Sequence, residues 1–414
     1  MGVPTKYINS SGVDIGIPLV PKSYLIDRYP ELADTFKQAG LWSWGYNAFG
    51  NLGDDTQSNR SSPVQTVAGG TNWKQSSSGN SISTSIKTDG TLWAWGAGNL
   101  GQLGNNTSGA ATNKSSPVQT IAGGTNWKQV SIGENFITSI KTDGTLWLWG
   151  QNNAGQLGNN TGTIGLAFSS PVQTVSGGTN WKLVSGGKYH TAAIKTDGTL
   201  WLWGNNSYGQ LGTNTTVSRS SPVQTIAGGN NWKSVRAKAV HTVALKTDGT
   251  LWTWGRNLEG QLGDNTSGAG TNKSSPIQTV AGGTNWQTID SSYVTSAAIK
   301  TDGTLWLWGN NQVGQLADNT NVSKSSPVQT IAGGTNWKSI VGGQFFFASI
   351  KTDGTLWLWG ENPDGNLGNN AVTNGASSPI QTIAGGTNWK SVSCGMRSTV
   401  AIQDNSSDMF GNPL

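Results

Sequence analysis

Few residues in this chain have the chemistry for catalysis, and their spacing keeps them apart. His190 and His241 are its only histidines, Cys394 is its only cysteine, and glutamate occurs four times. A thiol nucleophile needs a base within hydrogen-bond reach, and no histidine neighbours Cys394 in sequence. Both histidines precede threonine in matching contexts, KYHTAA and AVHTVA, while corresponding stretches carry Ile82, Ile137, Val294, Phe346 or Phe347 nearby. A place shared with aliphatic and aromatic residues is a packing place. Two buried structural histidines are therefore expected rather than a catalytic pair. Glu134, Glu259 and Glu361 fall in separate segments and make no carboxylate pair. The aspartates of the TDG tripeptides (Asp89, Asp143, Asp197, Asp248, Asp302 and Asp353) suit tight turns.

Loops rich in glycine, such as GNNTSGA (Gly104 to Ala110), lack the GK[ST] and the strand-to-helix setting of a phosphate loop. GDNTSGAG (Gly263 to Gly270) alternates Asp and Asn as calcium ligands do, but the matching loops carry too few carboxylates for a shared site. The expectation is a non-enzymatic protein with no cofactor and no metal.

The elements that carry these residues are repeats. The chain has 414 residues, 59 of them Gly and 21 Trp, with only 11% charged. That composition excludes disorder, and 414 residues exceed what one ordinary core supports. No apolar run approaches the roughly 20 residues of a membrane span, and the opening segment lacks the pattern of a secretory signal. A single cysteine excludes a disulfide framework and multi-cysteine metal sites. The net charge of +5 is spread evenly, without the basic patch of a nucleic-acid binder.

Trp-x-Trp-Gly ends at Gly45, Gly96, Gly150, Gly204, Gly255, Gly309 and Gly360, in steps of 51 or 54 residues. Asn-Trp recurs with Trp73, Trp127, Trp181, Trp232, Trp286, Trp337 and Trp389, so seven copies account for all 21 tryptophans. A period near 50 residues indicates stacked modules or propeller blades. In TLWLWG (Thr145 to Gly150), Leu146 and Leu148 point to one side and Trp147 and Trp149 to the other. Both sides are apolar, so both need cover, as in a blade between two blades. The first copy lacks its opening strands and the last lacks its closing ones. Residues 389–402 are therefore expected to pair with 41–68, closing a ring of seven blades.

TVALKTDGTLWTWGRNLEGQLG (Thr242 to Gly263) and KYHTAAIKTDGTLWLWGNNSYGQLG (Lys188 to Gly212) resemble the repeat of the regulator of chromosome condensation family. The resemblance covers about residues 41–404 and implies an all-β, seven-bladed β-propeller with shared-blade ring closure. The boundaries expected are an N-terminal extension at 1–40 with one short helix, the propeller at 41–404 and a tail at 405–414. TDGTLW recurs six times unchanged. Such uniform repeats, with the opening PKSYLIDRYPEL, are similar to versions in bacteriophage structural proteins.

That likeness implies a virion protein of a tail, baseplate or fibre. Its expected partners are other virion proteins and a host-surface protein or glycan, with several copies in one assembly, and neither nucleic acid nor membrane insertion. The alternative is a cellular, cytoplasmic protein-interaction scaffold similar to exchange-factor relatives.

Two windows differ in every copy, one after the Asn-Trp strand and one after Trp-Gly. In family members resembling this chain they line one rim around the axial channel. Expected contacts there are Tyr46, Phe136, Lys188, Tyr189, Tyr208, Arg236, Arg256, Tyr293, Phe345 and Phe346. Tyr24, Leu25 and Ile26 of the extension, with Ile164, Leu166 and Phe168 of an apolar loop, are expected assembly contacts.

Overall fold

A repeat of this pattern can bury its two apolar faces only between two other repeats. A computed structural model of the chain describes residues 39–404, apart from Thr71, Ala122 and 163–165. Twenty-eight strands form seven four-stranded antiparallel sheets. In one of them Trp127–Ile132, Phe136–Lys141, Leu146–Gln151 and Ala167–Gln173 pair in chain order. The outermost strand starts four residues before Pro171, where the sequence reading began it, with a register shift between Phe168 and Val172. The first strand of each sheet contacts its counterparts on either side, and Trp73–Ser78 meets Trp389–Cys394 to complete the circle. These seven strands surround the axis of a seven-bladed β-propeller.

Closure follows the expected pairing. Ala39–Gly45 lies between Ser398–Asp404 and Arg60–Gln65, in register from Ala39↔Asp404 to Gly45↔Ser398. The blade thus starts at Ala39, two residues before the sequence boundary. Tyr24, Leu25, Ile26, the remainder of the expected helix over 29–40, Ile164 and the tail at 405–414 lie outside the described residues.

The two faces of the return strand meet different neighbours. Trp149 packs with Ile82, Leu92 and Ala94 of the preceding blade, while Leu146 and Leu148 pack with Trp181, Val184 and Trp203. The indole of Trp149 also donates to the Gln102 carbonyl of that preceding blade at 3.0 Å. All seven equivalent tryptophans make this bond, at 2.8–3.0 Å, from Trp44 onto Asn366 O to Trp359 onto Gln315 O. The Gly-Gln/Asn-Leu-Gly motif therefore supplies the acceptor. Its leucine, Leu157 in one blade, is fully buried.

KTDGTLW is explained residue by residue. Asp143 accepts the N–H and hydroxyl of Thr145 at 2.9 and 2.7 Å, and these bonds hold its carboxyl below the usual range. Thr145 Oγ1 accepts the Trp147 indole N–H at 2.9 Å. Gly144 has φ +81, where a Cβ would sit 2.0 Å from Thr179 O. Lys141 Nζ lies 4.7 Å from the Trp127 ring and 4.9 Å from the Trp147 ring, a cation between two aromatic faces. Five other blades repeat that sandwich. Trp149→Ala should destabilise the protein by roughly 3–5 kcal/mol, as large aromatic truncations in cores do. A urea titration checks this, and an unchanged midpoint would contradict the interblade role.

Candidate interaction rim

Both variable windows lie at one end of the ring, and backbone hydrogen bonds join them. In every blade the second window donates an N–H to the first, as Asn205 does to Tyr189 O at 2.8 Å and Glu361 to Phe345 O at 2.9 Å. The first windows are also linked from blade to blade: Glu134 N–H to Gly187 O, Lys188 to Ala239 O, Tyr293 to Gln344 O, Gln344 to Met396 O and Met396 to Gly79 O, at 3.0–3.2 Å. They form a hydrogen-bonded collar around the axis, and differing side chains project from a fixed backbone.

Several of those side chains converge. Lys188 Nζ lies 3.5 Å from Glu134 Oε2, 5.3 Å from the Tyr189 ring and 5.5 Å from the Tyr293 ring. Tyr293 reaches Phe345 at a ring separation of 6.5 Å, and its hydroxyl points at Met396 Sδ, 3.9 Å away. Burial raises the Glu134 carboxyl above its ordinary range, with Lys188 opposing, and raises the Tyr293 phenol, helped by Glu134. Further out, Arg256 pairs with Glu259 at 3.1 Å and lies 5.9 Å from the Tyr208 ring, while Tyr46 sits beside Phe49.

Three expected rim residues lie elsewhere. Phe136 and Phe346 are fully buried, one with Trp181 and Val184, the other with Trp389 and Val392. Each begins the second strand of its blade and points into the gap between sheets, so neither reaches the surface. Arg236 lies on the innermost strand inside the axial channel, paired to Asp290 at 3.0 Å. Of the assembly candidates, Phe168 packs against its own blade's core and Leu166 is half-buried.

One constant residue was hidden inside a variable window. Asn47, Asn152, Asn206, Asn257, Asn311 and Asn362 are all buried two places after Trp-Gly. Asn257 Oδ1 accepts the Leu262 N–H, and its Nδ2 donates to Asp264 and to Thr266 O and Oγ1. This arrangement engages the Asp264 oxygen considered for calcium, which also caps Thr266. Lining up the windows by position reveals the asparagine. A second surface feature is uniform rather than variable. Val67, Ile121, Val175, Ile226, Val280, Ile331 and Ile383 are each 53–58% exposed and occupy one position per repeat.

The groups with catalytic chemistry are engaged in packing. His190 Nε2 lies 3.2 Å from Thr242 Oγ1, and His241 Nε2 3.0 Å from Ser296 Oγ, each on the next blade. Those hydroxyls donate to Gln210 O and Gln261 O, so each imidazole donates through Nε2. Burial lowers both histidines to about 3 and pushes the Cys394 thiol up to about 12. Neutral imidazoles locked between sheets and a protonated thiol make a non-enzymatic propeller. Among the described residues no cluster of three or more His, Cys, Asp or Glu could hold a metal.

The RCC1-like domain matches residues 35–292, and the regulator of chromosome condensation (RCC1) repeat matches 302–350 and 353–402. The chain belongs to the RCC1-like family. The Ultraviolet-B receptor UVR8 of Arabidopsis thaliana is 28% identical over 344 residues, covering 79% of this chain and 74% of the receptor. The human E3 ubiquitin-protein ligase HERC2 is 29% identical over 237 residues, 55% of this chain but only 5% of the ligase. Prp20p of Saccharomyces cerevisiae, whose structure was described with its binding to Gsp1p and histones, shares the fold. Its TM-score is 0.79 at 18% identity, over 90% of this chain and 93% of Prp20p.

These cellular relatives, from plant, human and yeast, correct the bacteriophage likeness. With it fall the virion function and location, the virion partners and the host-surface protein or glycan. Uniform repeats and an opening segment had suggested that origin, and neither reports where an RCC1-like propeller acts.

The buried imidazoles make stability depend on pH. A histidine lowered to about 3 on folding contributes fully above its unfolded value near 6.5, and loses that contribution as pH falls toward 3. Between pH 7 and 5 each histidine should cost roughly 2 kcal/mol. The double variant His190→Phe with His241→Phe, using the residue other blades carry there, should flatten that loss in urea titrations at the two pH values.

Proposed function

We propose that the protein is a cellular protein-interaction scaffold whose partner-facing surface is the rim where the two variable windows meet. The observation that carries this reading is the collar: one rigid backbone ring presents different side chains from every blade while the surrounding repeat stays uniform. A single asymmetric partner needs such a surface. Neutral drift would also vary exposed loops, but the half-buried cluster of Tyr189, Tyr293, Phe345 and Met396 joins side chains from separate blades. Aromatic anchors of this kind dominate protein interfaces. The relatives fit the reading, since a receptor, a ubiquitin ligase and a protein described with its binding to Gsp1p and histones all carry this propeller.

Rim charges are paired locally, Lys188 with Glu134, Arg256 with Glu259 and Arg397 with Asp364. Recognition should therefore rest on aromatic contact and hydrogen bonds more than on net charge. Quantitative co-purification from the source cells tests the surface. Tyr189→Ala with Phe345→Ala should reduce specific partners at least tenfold while leaving the melting temperature nearly unchanged. Raising salt from about 0.1 M to about 0.5 M should weaken binding less than that. If Val175→Ser with Ile226→Ser removes the partners and the rim variant retains them, the uniform outer belt is the binding surface instead.

A further inference from the structure

The innermost strands enclose a cavity of about 170 Å³ on the ring axis, below the collar. Its lining follows one repeat position around the circle: Ser77, Ser131, Ser185, Arg236, Asp290, Val341 and Ser393. Oγ of Ser77, Ser131 and Ser185 each accepts an N–H from the next blade, from Ile132, Gly186 and Ala237, at 3.0–3.1 Å. An oxygen that accepts leaves its own proton to donate, and these three hydroxyls donate to no described residue.

Asp290 is the carboxylate of this cavity, and its oxygens are engaged. Oδ2 accepts Arg236 Nε at 3.0 Å, and Oδ1 faces the N–H groups of Ser291 and Gly342 at 2.7 and 3.4 Å. Arg236 and Asp290 thus cancel in charge. Lys238 stands one ring nearer the rim. The same place holds Gly79, Gly133, Gly187, Gly343 and Gly395 in five blades and Ser292 in the sixth. Lys238 therefore projects where most blades have no side chain, and it lines both the cavity and a narrower space of about 30 Å³ beneath the collar. It makes no ion pair among the described residues. Glu134, the carboxylate at that narrow end, is held by Lys188.

The cavity has unfilled hydrogen-bond donors and one uncompensated positive charge. Water satisfies donors but leaves the charge without a partner in a confined space. A small anion with several oxygens satisfies both, and its charge-assisted bonds are the stronger kind. The volume suits it, since about 170 Å³ is the share of five or six waters at about 30 Å³ each. We propose that the axial cavity binds a small tetrahedral oxyanion, phosphate or sulfate, held by Lys238, Arg236 and the hydroxyls of Ser77, Ser131 and Ser185. Burial pulls the Lys238 ammonium below the usual lysine range, and a bound anion acts against that pull.

Titration calorimetry of the full chain with orthophosphate, and separately with sulfate, tests the site. Saturable binding near one anion per chain is expected, weakened at least tenfold in Lys238→Met and in Lys238→Gly and retained in Lys238→Arg. The glycine variant carries what five blades already have there, so its anion-free melting temperature should match the parent. Absence of saturable binding to the folded parent chain overturns the proposal. So does equal affinity in Lys238→Gly, which would put the anion elsewhere.

Discussion

The interaction on which the rest depends is the seam between neighbouring blades. The second tryptophan of each Trp-x-Trp-Gly lays its ring on the leucine face of the preceding sheet and donates its indole N–H to a carbonyl there. The apolar contact is large and non-directional, so alone it would let one sheet slide on the next. The buried donor prevents that, because leaving it unmatched costs about 1–3 kcal/mol. Packing supplies most of the attraction and the hydrogen bond supplies the register. In five blades a hydroxyl, such as Thr191 onto Gln156 O, donates to the same carbonyl as the indole and fixes the seam at a second point.

That seam explains why the fold was legible. An alternating strand with apolar residues on both faces, copied seven times, leaves a closed stack as its main solution, and incomplete repeats at the ends point to the shared blade. The periodic tryptophans carried this signal. What escaped lay at strand ends and in side chains whose direction depends on register. Phe345, Phe346 and Phe347 look like a run with one exposed face. The strand begins at Phe346, and both faces of a blade are covered, so Phe346 and Phe347 enter cores on opposite sides and Phe345 alone faces the rim. The alternation rule assigns sides correctly, but in a propeller neither side is solvent.

The rim was legible as variation and illegible as geometry. Comparing copies shows where the chain departs from its repeat, yet a window of four or five residues mixes positions with different duties. Asn257 holds its own loop together, Arg256 two atoms of backbone away faces Tyr208, and Arg236 from the other window turns into the channel. Uniformity misled at a larger scale. Near-identical copies report how a framework is duplicated and constrained, and function belongs to the site grafted onto it.

The axis combines both kinds of information. A ring of identical blades would line its channel with seven equal side chains and give any ligand seven equivalent orientations. Here three blades contribute serine at one level while two contribute opposite charges, and a lysine replaces glycine one level higher. The blades can differ there because the innermost strand is held by its backbone pairing and by the tryptophan at its start, both remote from the channel-facing atoms. Symmetry in the seams thus releases the axis and the rim from symmetry. A substitution that leaves indole, acceptor carbonyl and leucine face untouched changes what the propeller presents without changing how it closes.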